Sequence, residues 1–353
     1  MICPRCHRVY TEGEARCAYD DEPLTNARRI DFVKAGRTRH IGAILGNRFQ
    51  IRGFIGQGGT SRVYLAEDVH TAEPIALKIL EPPWAHDRVA RERFLQEATA
   101  ASAIDHVGVA RILFVGQRGD GTPYIAMEYL FGETLHASLE RQSPMDPDVA
   151  LPVLIEVATT LEAAHSKGVI HRDVKPENIF LLGEPGEPYA VRLVDFGFAK
   201  LRDSTITAAG TAIGTVGFMA PEQCVSDDVD GRTDVYGLGV VAYRALTGIM
   251  PFADGPTDET LARHLLAPIP PSELDPGLAL VVEKCLRKDP AYRYESMGHL
   301  RADLEAVNEG REPAAALESP PIEDVYMPRG PFSMMVARAL YRKLNVPAPS
   351  AFG

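Results

Sequence analysis

The sequence predicts an α+β fold in which a part rich in strands precedes a larger part rich in helices. Strand-like stretches separated by turns begin at Asn47 and continue to Leu130. Longer helical patterns follow at 149–167, 238–247 and 278–286. The chain has 353 residues, which is enough for one large domain or two modest ones with a sizeable core.

The composition is ordinary for a globular chain and argues against nucleic acid as a partner. Hydrophobic residues make up 45% of the chain and charged residues 24%, both close to the average for soluble domains. The 48 acidic residues outnumber the 37 basic ones, which gives a net charge of −11. We therefore expect no non-specific nucleic-acid binding by the whole protein.

No segment has the pattern of a membrane span or of a secretory signal. No uninterrupted apolar run approaches the ~18 residues that a spanning helix needs. The first ten residues, MICPRCHRVY, lack the apolar core of a signal peptide. We therefore expect a cytoplasmic protein. In that compartment its five cysteines indicate metal binding or free thiols rather than disulfides.

Residues 1–25 are predicted to form a small knuckle that resembles a zinc ribbon. Cys3 and Cys6 have the C-x-x-C spacing with which two thiolates hold one Zn²⁺, and Cys17 supplies a third thiol. Asp20 stands where a ribbon would have its fourth cysteine and is the first candidate for the remaining ligand, with His7 as the second. The alternative is a metal-free turn that packs on its neighbour.

Residues 26–46 are rich in basic side chains, and we predict that they form a linker. The alternative is a basic strip for membrane or partner contact.

The stretch 170–178 reads IHRDVKPEN and resembles the catalytic loop of protein kinases, H-R-D-x-x-x-x-N. Asp173 and Asn178 stand five residues apart, so a tight loop would let both point into one cleft. In phosphoryl transfer Asp173 would reach the attacking hydroxyl, while Asn178 would hold Mg²⁺ on the phosphates. Lys175 adds a positive charge beside the transferring group. The alternative is a polar loop that has these letters by chance.

A glycine-rich stretch, IGQGGTSRV at 55–63, follows a predicted strand at 49–54. Residues 63–66 have the pattern of a returning strand, which predicts a β-hairpin rather than the helix of a dinucleotide fold. The first two glycines would let the backbone approach phosphates. Ser61 occupies the position of a third glycine, for which we expect altered loop flexibility rather than loss of ATP binding.

Four further motifs follow the order of a known family. They are IALK ending at Lys78, a helical stretch at 91–103 that contains Glu97, DFG at 195–197 and APE at 220–222. Together with the glycine-rich and HRD stretches, they make residues 47–309 resemble a eukaryotic-type Ser/Thr protein kinase of the bacterial kind. The resemblance implies two lobes, a small one with five strands and one helix and a larger helical one. Lys175, two residues after Asp173, favours Ser or Thr over Tyr as acceptor.

The resemblance also implies the roles of individual residues. Catalytic roles fall to Asp173, Lys175, Lys78, its partner Glu97, and Thr215, while Asn178 and Asp195 would hold Mg²⁺. Asp234 would brace the catalytic loop, and Arg293 would pair with Glu222. The backbone of Glu128 and Leu130 would bond the adenine edge, in front of Met127. The whole implied ATP-binding set is Ile55, Gly56, Gln57, Gly58, Gly59, Thr60, Ser61, Arg62, Val63, Ala76, Lys78, Met127, Glu128 and Leu130.

The resemblance leaves regulation and partners as expectations. Arg172 precedes Asp173, so a phosphate on Thr207 or Thr211 would have a cation with which to pair. We expect protein substrates with Ser or Thr acceptors, and self-association for autophosphorylation. Two alternatives are a pseudokinase scaffold and an adaptor that binds partners through the knuckle.

The last part of the chain is predicted to be a Pro-rich linker at 310–331 and a short helical tail at 332–353. The helix at 332–344 is apolar on one side and basic on the other and is too short to span a membrane. It would dock on the preceding domain, fray at its end, or make weak contact with a membrane surface.

Overall fold

The computed structural model describes residues 15–16, 21, 23, 41–183, 189–196, 216–225, 228–252, 255–318, 324 and 326–343, without the side chains of 331, 332 and 341–343. Eight predicted functional positions lie outside these residues: Cys3, Cys6, His7, Cys17, Asp20, Thr207, Thr211 and Thr215. Near the N-terminus, Arg16 and Pro23 form an isolated antiparallel bridge, so the chain reverses direction between them.

The N-terminal lobe is built on one antiparallel sheet with the strand order β1-β2-β3-β4-β6-β5. The strands are β1 (Ile44–Leu45), β2 (Phe49–Gln57), β3 (Ser61–Asp68), β4 (Pro74–Leu80), β5 (Ile112–Gln117) and β6 (Pro123–Glu128). The predicted count of five strands was one too low. Strand β1 lies inside the predicted basic linker and pairs with β2, because Leu45 is buried in the core of the lobe.

The glycine-rich stretch forms the predicted hairpin. β2 and β3 are antiparallel, and the last pair before the turn is Gln57 with Arg62. The N–H of Gly58 donates to the carbonyl oxygen of Ser61 at 2.8 Å, which closes the turn. The glycine-rich turn therefore connects two strands and does not open a helix.

Helix α1 (Arg88–Ser102) is the helix of the small lobe and contains Glu97. It begins three residues before the predicted start at 91 because the side chain of Asp87 caps it by accepting a hydrogen bond from the N–H of Ala90. Phe94 and Ala98 are buried under the sheet in a cluster that includes Ile125 of β6. This packing sets the position of α1 relative to β4.

The C-terminal lobe is mostly helical. Its helices are α2 (Leu135–Arg141), α3 (Pro147–Ser166), α4 (Pro221–Cys224), α5 (Gly231–Thr247), α6 (Thr257–Leu266), α7 (Pro276–Cys285) and α8 (Met297–Asn308). α3 corresponds to the predicted helix at 149–167, capped by Asp146 at its start and followed by Gly168 at φ +73°. Within the described residues α3 has the length and composition to cross a membrane, and half of that window is buried in this lobe.

A small three-stranded sheet positions two of the predicted site residues. Its strands are β7 (Gly132–Thr134), β8 (Ile179–Leu182) and β9 (Ala190–Leu193), in that order. β8 begins directly after Asn178, and Asp195 follows β9 by two residues. Because β8 and β9 are paired, the sheet brings these two residues to one edge.

The last part of the chain packs on the C-terminal lobe. Within the stretch predicted as a linker, Ala314–Leu317 forms a 3-10 helix, and the carboxylate of Asp303 accepts hydrogen bonds from the N–H groups of Ala314 and Ala315. Helix α9 (Pro331–Lys343) corresponds to the predicted helix at 332–344. It contacts α6, so the tail is docked, as one of the sequence-based alternatives expected.

Candidate active site

The backbone of the catalytic loop at 170–178 is held by one buried carboxylate. Asp234 accepts hydrogen bonds from the backbone N–H groups of His171 at 2.8 Å and Arg172 at 2.7 Å. Its Oδ2 also lies 2.7 Å from Nε2 of His165. Arg172 has a φ of +65°, a backbone conformation that is strained for a residue with a side chain. The two bonds from Asp234 stabilise that conformation, as the family resemblance implied, while the contribution of His165 had no signal in the sequence.

The loop presents Asp173 with two polar neighbours. Nζ of Lys175 lies 2.8 Å from Oδ2 of Asp173. Nδ2 of Asn178 donates to the backbone oxygen of Asp173 at 2.8 Å and to its Oδ2 at 3.2 Å. The side chains of Asp173 and Lys175 are each about 15% exposed (14% and 15%). Both are therefore accessible to a ligand, while their mutual contact fixes their position.

Lys78 links the two lobes. Its Nζ lies 2.6 Å from Oε1 of Glu97 on α1 and 2.8 Å from Oδ1 of Asp195 after β9. Burial alone would lower the pKa of Lys78, but the carboxylates of Asp195 and Glu97 outweigh it and raise the pKa above its usual range. Lys78 therefore stays charged, and the ion pair with Glu97 implied by the resemblance is formed.

Asp195 is oriented by its neighbour in the chain. The ring of Phe196 is buried against His171, with 4.6 Å between the ring centroids. Asp195 itself has a φ of +58°, which turns its carboxylate back towards Lys78. Burial lowers the pKa of His171, so a neutral imidazole lies under Phe196 at neutral pH, with Nε2 3.1 Å from the carbonyl oxygen of Val194.

The glycine-rich turn at 55–63 has open space beside its glycines. A Cβ added at Gly56 or Gly59 would meet no atom within 4 Å, and one at Gly58 would make only ordinary contacts with Ser61. Neither conformation nor packing within the protein therefore requires glycine at Gly56 or Gly59. Close approach of a ligand to the backbone is the remaining physical reason for these glycines. Ser61 is buried at the start of β3.

The hinge, which is the stretch that connects the two lobes, lies at the end of β6. Met127 lines a small cavity of about 20 Å³ together with Glu97, Phe196 and residues of the sheet. The N–H of Glu128 donates to the carbonyl oxygen of Arg111 at 2.9 Å. This N–H is therefore already engaged, and only the backbone carbonyl of Glu128 is left to accept a hydrogen bond from a base. The predicted contact of the base with the backbone of residue 128 is thus limited to that carbonyl. Leu130 directly follows the strand.

A buried ion pair holds the end of the activation segment, the stretch that runs from DFG at 195–197 to APE at 220–222. Arg293 and Glu222 form two bonds of 2.9 Å, and their side chains are 0% and 2% exposed. Next to Glu222, the amide of Gln223 donates to the carbonyl oxygen of Arg172 at 2.9 Å and accepts from the N–H of Ala220 at 3.0 Å. The sequence predicted the ion pair but not Gln223, whose only signal is its place directly after APE.

Known proteins match this chain over the region of the two lobes. The protein kinase domain model matches residues 49–303. The serine/threonine-protein kinase pkn3 of Myxococcus xanthus is 34% identical over 284 residues, which cover 77% of this chain and 52% of that protein. PknB of Mycobacterium leprae is 37% identical over 281 residues, which cover 77% of this chain and 44% of that protein.

Solved structures agree with these relatives. The crystal structure of the Mycobacterium tuberculosis PknI kinase domain is similar with a TM-score of 0.58 and 27% identity, over 75% of this chain and 97% of that one. This chain spans about half the length of the curated relatives that it matches (52% and 44%). Since the family model covers most of the chain and the site has the expected geometry, the chain belongs to the protein kinase family.

Proposed function

We propose that this chain transfers the γ-phosphoryl group of ATP to serine or threonine hydroxyls of proteins. The observation that carries the proposal is the pair of contacts made by Lys78, with Glu97 at 2.6 Å and with Asp195 at 2.8 Å. These contacts join β4, α1 and the strand end after β9 around one cation. In phosphoryl transfer such a cation orients the phosphates.

Asp173 is the residue proposed to receive the acceptor hydroxyl. Its position is fixed by Asn178 from one side and by Lys175 from the other. Catalysis of this reaction depends mostly on positioning and charge stabilisation, which a loop held by Asp234 can provide. A scaffold without turnover is disfavoured, because Lys78, Glu97, Asp173, Asn178 and Asp195 are all present and arranged around one cleft.

The donor atoms near the cleft fit Mg²⁺. Asp195 offers carboxylate oxygens, and because Nδ2 of Asn178 is the atom that donates to Asp173, its Oδ1 lies on the opposite side of the amide. In the described part of the chain, no three His, Cys, Asp or Glu side chains cluster as a metal site. Mg²⁺ needs no such cluster, since it takes one or two protein ligands and keeps water and phosphate oxygens. When bound, it would neutralise charge on the phosphates.

The decisive test is incubation of the full chain with labelled ATP, Mg²⁺ and a generic acceptor protein. Label should appear on serine and threonine of the acceptor, and Asp173→Asn should abolish it while the variant keeps its fold by circular dichroism. Equal labelling by the two proteins would reject the assignment. Label on tyrosine alone would reject the Ser/Thr specificity, which rests on Lys175.

The proposal extends to a zinc site in the knuckle. In the sequence, Cys17 and Asp20 have the same spacing as Cys3 and Cys6. Two such pairs are the ligand arrangement of a zinc ribbon, and this spacing supports the four residues as ligands. Elemental analysis should find about one zinc per chain in protein made with zinc supplied, and the absence of zinc would remove the site.

We also propose that the protein lies in the cytoplasm, where ATP is available. Cell fractionation would test this location.

A further inference from the structure

The segment after the family domain forms part of the core of the C-terminal lobe. Residues 324 and 326–340, here called the tail segment, lie beyond the matched range of 49–303. Tyr326, Ala337 and Leu340 are 2%, 0% and 8% exposed. They belong to one apolar cluster with Leu261 and Leu265 of α6. A helix that only trailed from a domain would not bury its side chains to this extent.

Polar contacts fix the register of the tail segment. The backbone N–H of Lys288 donates to Oδ1 of Asp324 at 2.7 Å. The N–H of Tyr326 donates to the carbonyl oxygen of Leu265, the second-to-last residue of α6, at 3.1 Å. In α9 the buried positions described are Ser333, Ala337 and Leu340, spaced as one helical face, while Ala339 is exposed. The apolar face that a membrane would need is therefore turned to the protein.

The same cluster contains the end of the activation segment. Its other members include Val216, Met219, Cys224 and Val225, all 9% exposed or less. α6 lies between the two groups, since it contacts both α4 and α9. The tail segment packs on α6, and α6 in turn packs on residues 216–225. The tail segment therefore stabilises the position of residues 216–225 through α6.

This end of the activation segment borders the catalytic loop. Gln223 of α4 bonds the carbonyl oxygen of Arg172, which precedes Asp173. A Cβ at Gly237 would lie 3.1 Å from Cβ of Val174 and 3.8 Å from the backbone oxygen of Phe218, so Val174 and Phe218 pack on the same point of α5. Residues 216–223 therefore adjoin the loop to which an acceptor protein would present its hydroxyl.

We propose that the tail segment is a positioning element for acceptor binding. By holding α6, it fixes residues 216–225 in the conformation that receives the acceptor, while the ATP site, built on the other lobe and the hinge, does not depend on it. The inference rests on the proposed phosphoryl transfer. It predicts a separation of effects: loss of docking weakens binding of the acceptor protein and leaves binding of ATP unchanged.

The test compares two variants of the full chain that carry the same substitution on opposite faces of α9. Ala337→Asp places a charge on the buried face and should undock the helix, whereas Ala339→Asp makes the same change on the exposed face. Hydrogen exchange of 257–266 and 326–343 should rise in Ala337→Asp alone. Its KM for the acceptor protein should rise by about fivefold or more, with the KM for ATP within about twofold of the wild type. Ala339→Asp should match the wild type.

Two results would overturn the proposal. One is an unchanged KM for the acceptor in an undocked Ala337→Asp, and the other is higher activity, which would make the tail segment an inhibitor. If Ala337→Asp fails to fold, Leu340→Ala replaces it, with the same readouts and the same two overturning results. An inactive wild type would reject the phosphoryl transfer itself, whereas an active wild type with unchanged KM values in the undocked variant rejects only the role of the tail.

Discussion

The side-chain amide of Gln223 donates a hydrogen bond to the main-chain carbonyl oxygen of Arg172, with 2.9 Å between Nε2 and O. Its Oε1 accepts from the N–H of Ala220 at 3.0 Å. One nearly buried amide therefore satisfies a backbone donor of the activation segment and a backbone acceptor of the catalytic loop. A carbonyl left without its donor at this depth is costly.

Gln223→Glu should lower kcat by about tenfold. The carboxylate still accepts from Ala220 but cannot donate to Arg172, so the change removes one bond and keeps the shape. The measurement is steady-state phosphorylation of an acceptor protein. Gln142→Glu, which makes the same change at an exposed position, should leave kcat at the wild-type value, and equal kcat values for the two variants would remove Gln223 from this role.

Lys78→Ala should lower phosphoryl transfer by at least ~10²-fold, because one preorganised charge beside the reacting group is lost. Removing this cation also leaves Glu97 and Asp195 without the charge that holds them together. Lys167→Ala, at an exposed lysine, is the matched control and should stay fully active. Wild-type rates in Lys78→Ala would contradict the proposed site.

Arg293→Ala should destabilise the fold by roughly 3–5 kcal/mol, since it leaves Glu222 buried without its partner. The guanidinium also donates to the backbone oxygens of Arg287, Arg232 and Lys288, which adds to the loss. Urea unfolding measures the free energy. Arg311→Ala breaks an ion pair with Glu309 in which both side chains are about 60% exposed (61% and 59%), and it should cost at most ~0.5 kcal/mol. Similar losses in both variants would contradict the argument from burial.

His264 should make the protein less stable in acid. Burial, with the nearby charge of Lys288, lowers its pKa from 6.5 to about 3. As the pH falls from 6.5 towards 3, the unfolded chain takes up a proton at this residue and the folded one does not, so folding weakens by up to about 1.4 kcal/mol per pH unit. This contribution is absent above pH 6.5.

His264→Gln removes the titrating group and isolates this effect. At neutral pH the variant should be less stable than the wild type, because it loses the 2.8 Å contact between Nδ1 of His264 and the hydroxyl of Tyr236. The difference in melting temperature should then shift in favour of the variant as the pH falls below 6.5. Thermal unfolding across pH 4.5 to 8 measures it, and parallel curves for the two proteins would contradict the assignment.

Activation by phosphorylation should depend on Thr207 and Thr211. A phosphoryl group brings a charge of about −1.5 to −2, for which Arg172 offers a cation beside Asp173. Mass spectrometry should find phosphate on one or both threonines in the active protein and none in Asp173→Asn. The double variant Thr207→Ala, Thr211→Ala should be less active than the wild type. An unphosphorylated, fully active wild type would remove the switch and leave the kinase assignment intact.

The sequence by itself determined the elements whose chemistry is local. The hairpin at 55–63 and the loop at 170–178 were identified because phosphoryl transfer requires these residue types at close, ordered spacings, whereas the pairing of Lys78 with Glu97 was implied by the family resemblance. The core helices predicted at 149–167, 238–247 and 278–286 were also found, since their apolar patterns match their burial. The ends of α1 and α3 differed by a few residues because Asp87 and Asp146 cap them earlier.

Only the tertiary structure decided which distant residues meet. Strand β1 was predicted as linker because two residues carry no periodicity, and it exists only because it pairs with β2. Gln223 reaches Arg172 across 51 positions, and no spacing rule connects an amide to a carbonyl at that separation. Asp324 and Tyr326 lie in a Pro-rich stretch that gives no helical or strand signal, yet α6 and Lys288 hold them in place. Contacts of this kind depend on the shape of the folded surface, which is formed by the whole chain and cannot be read from any local part of it.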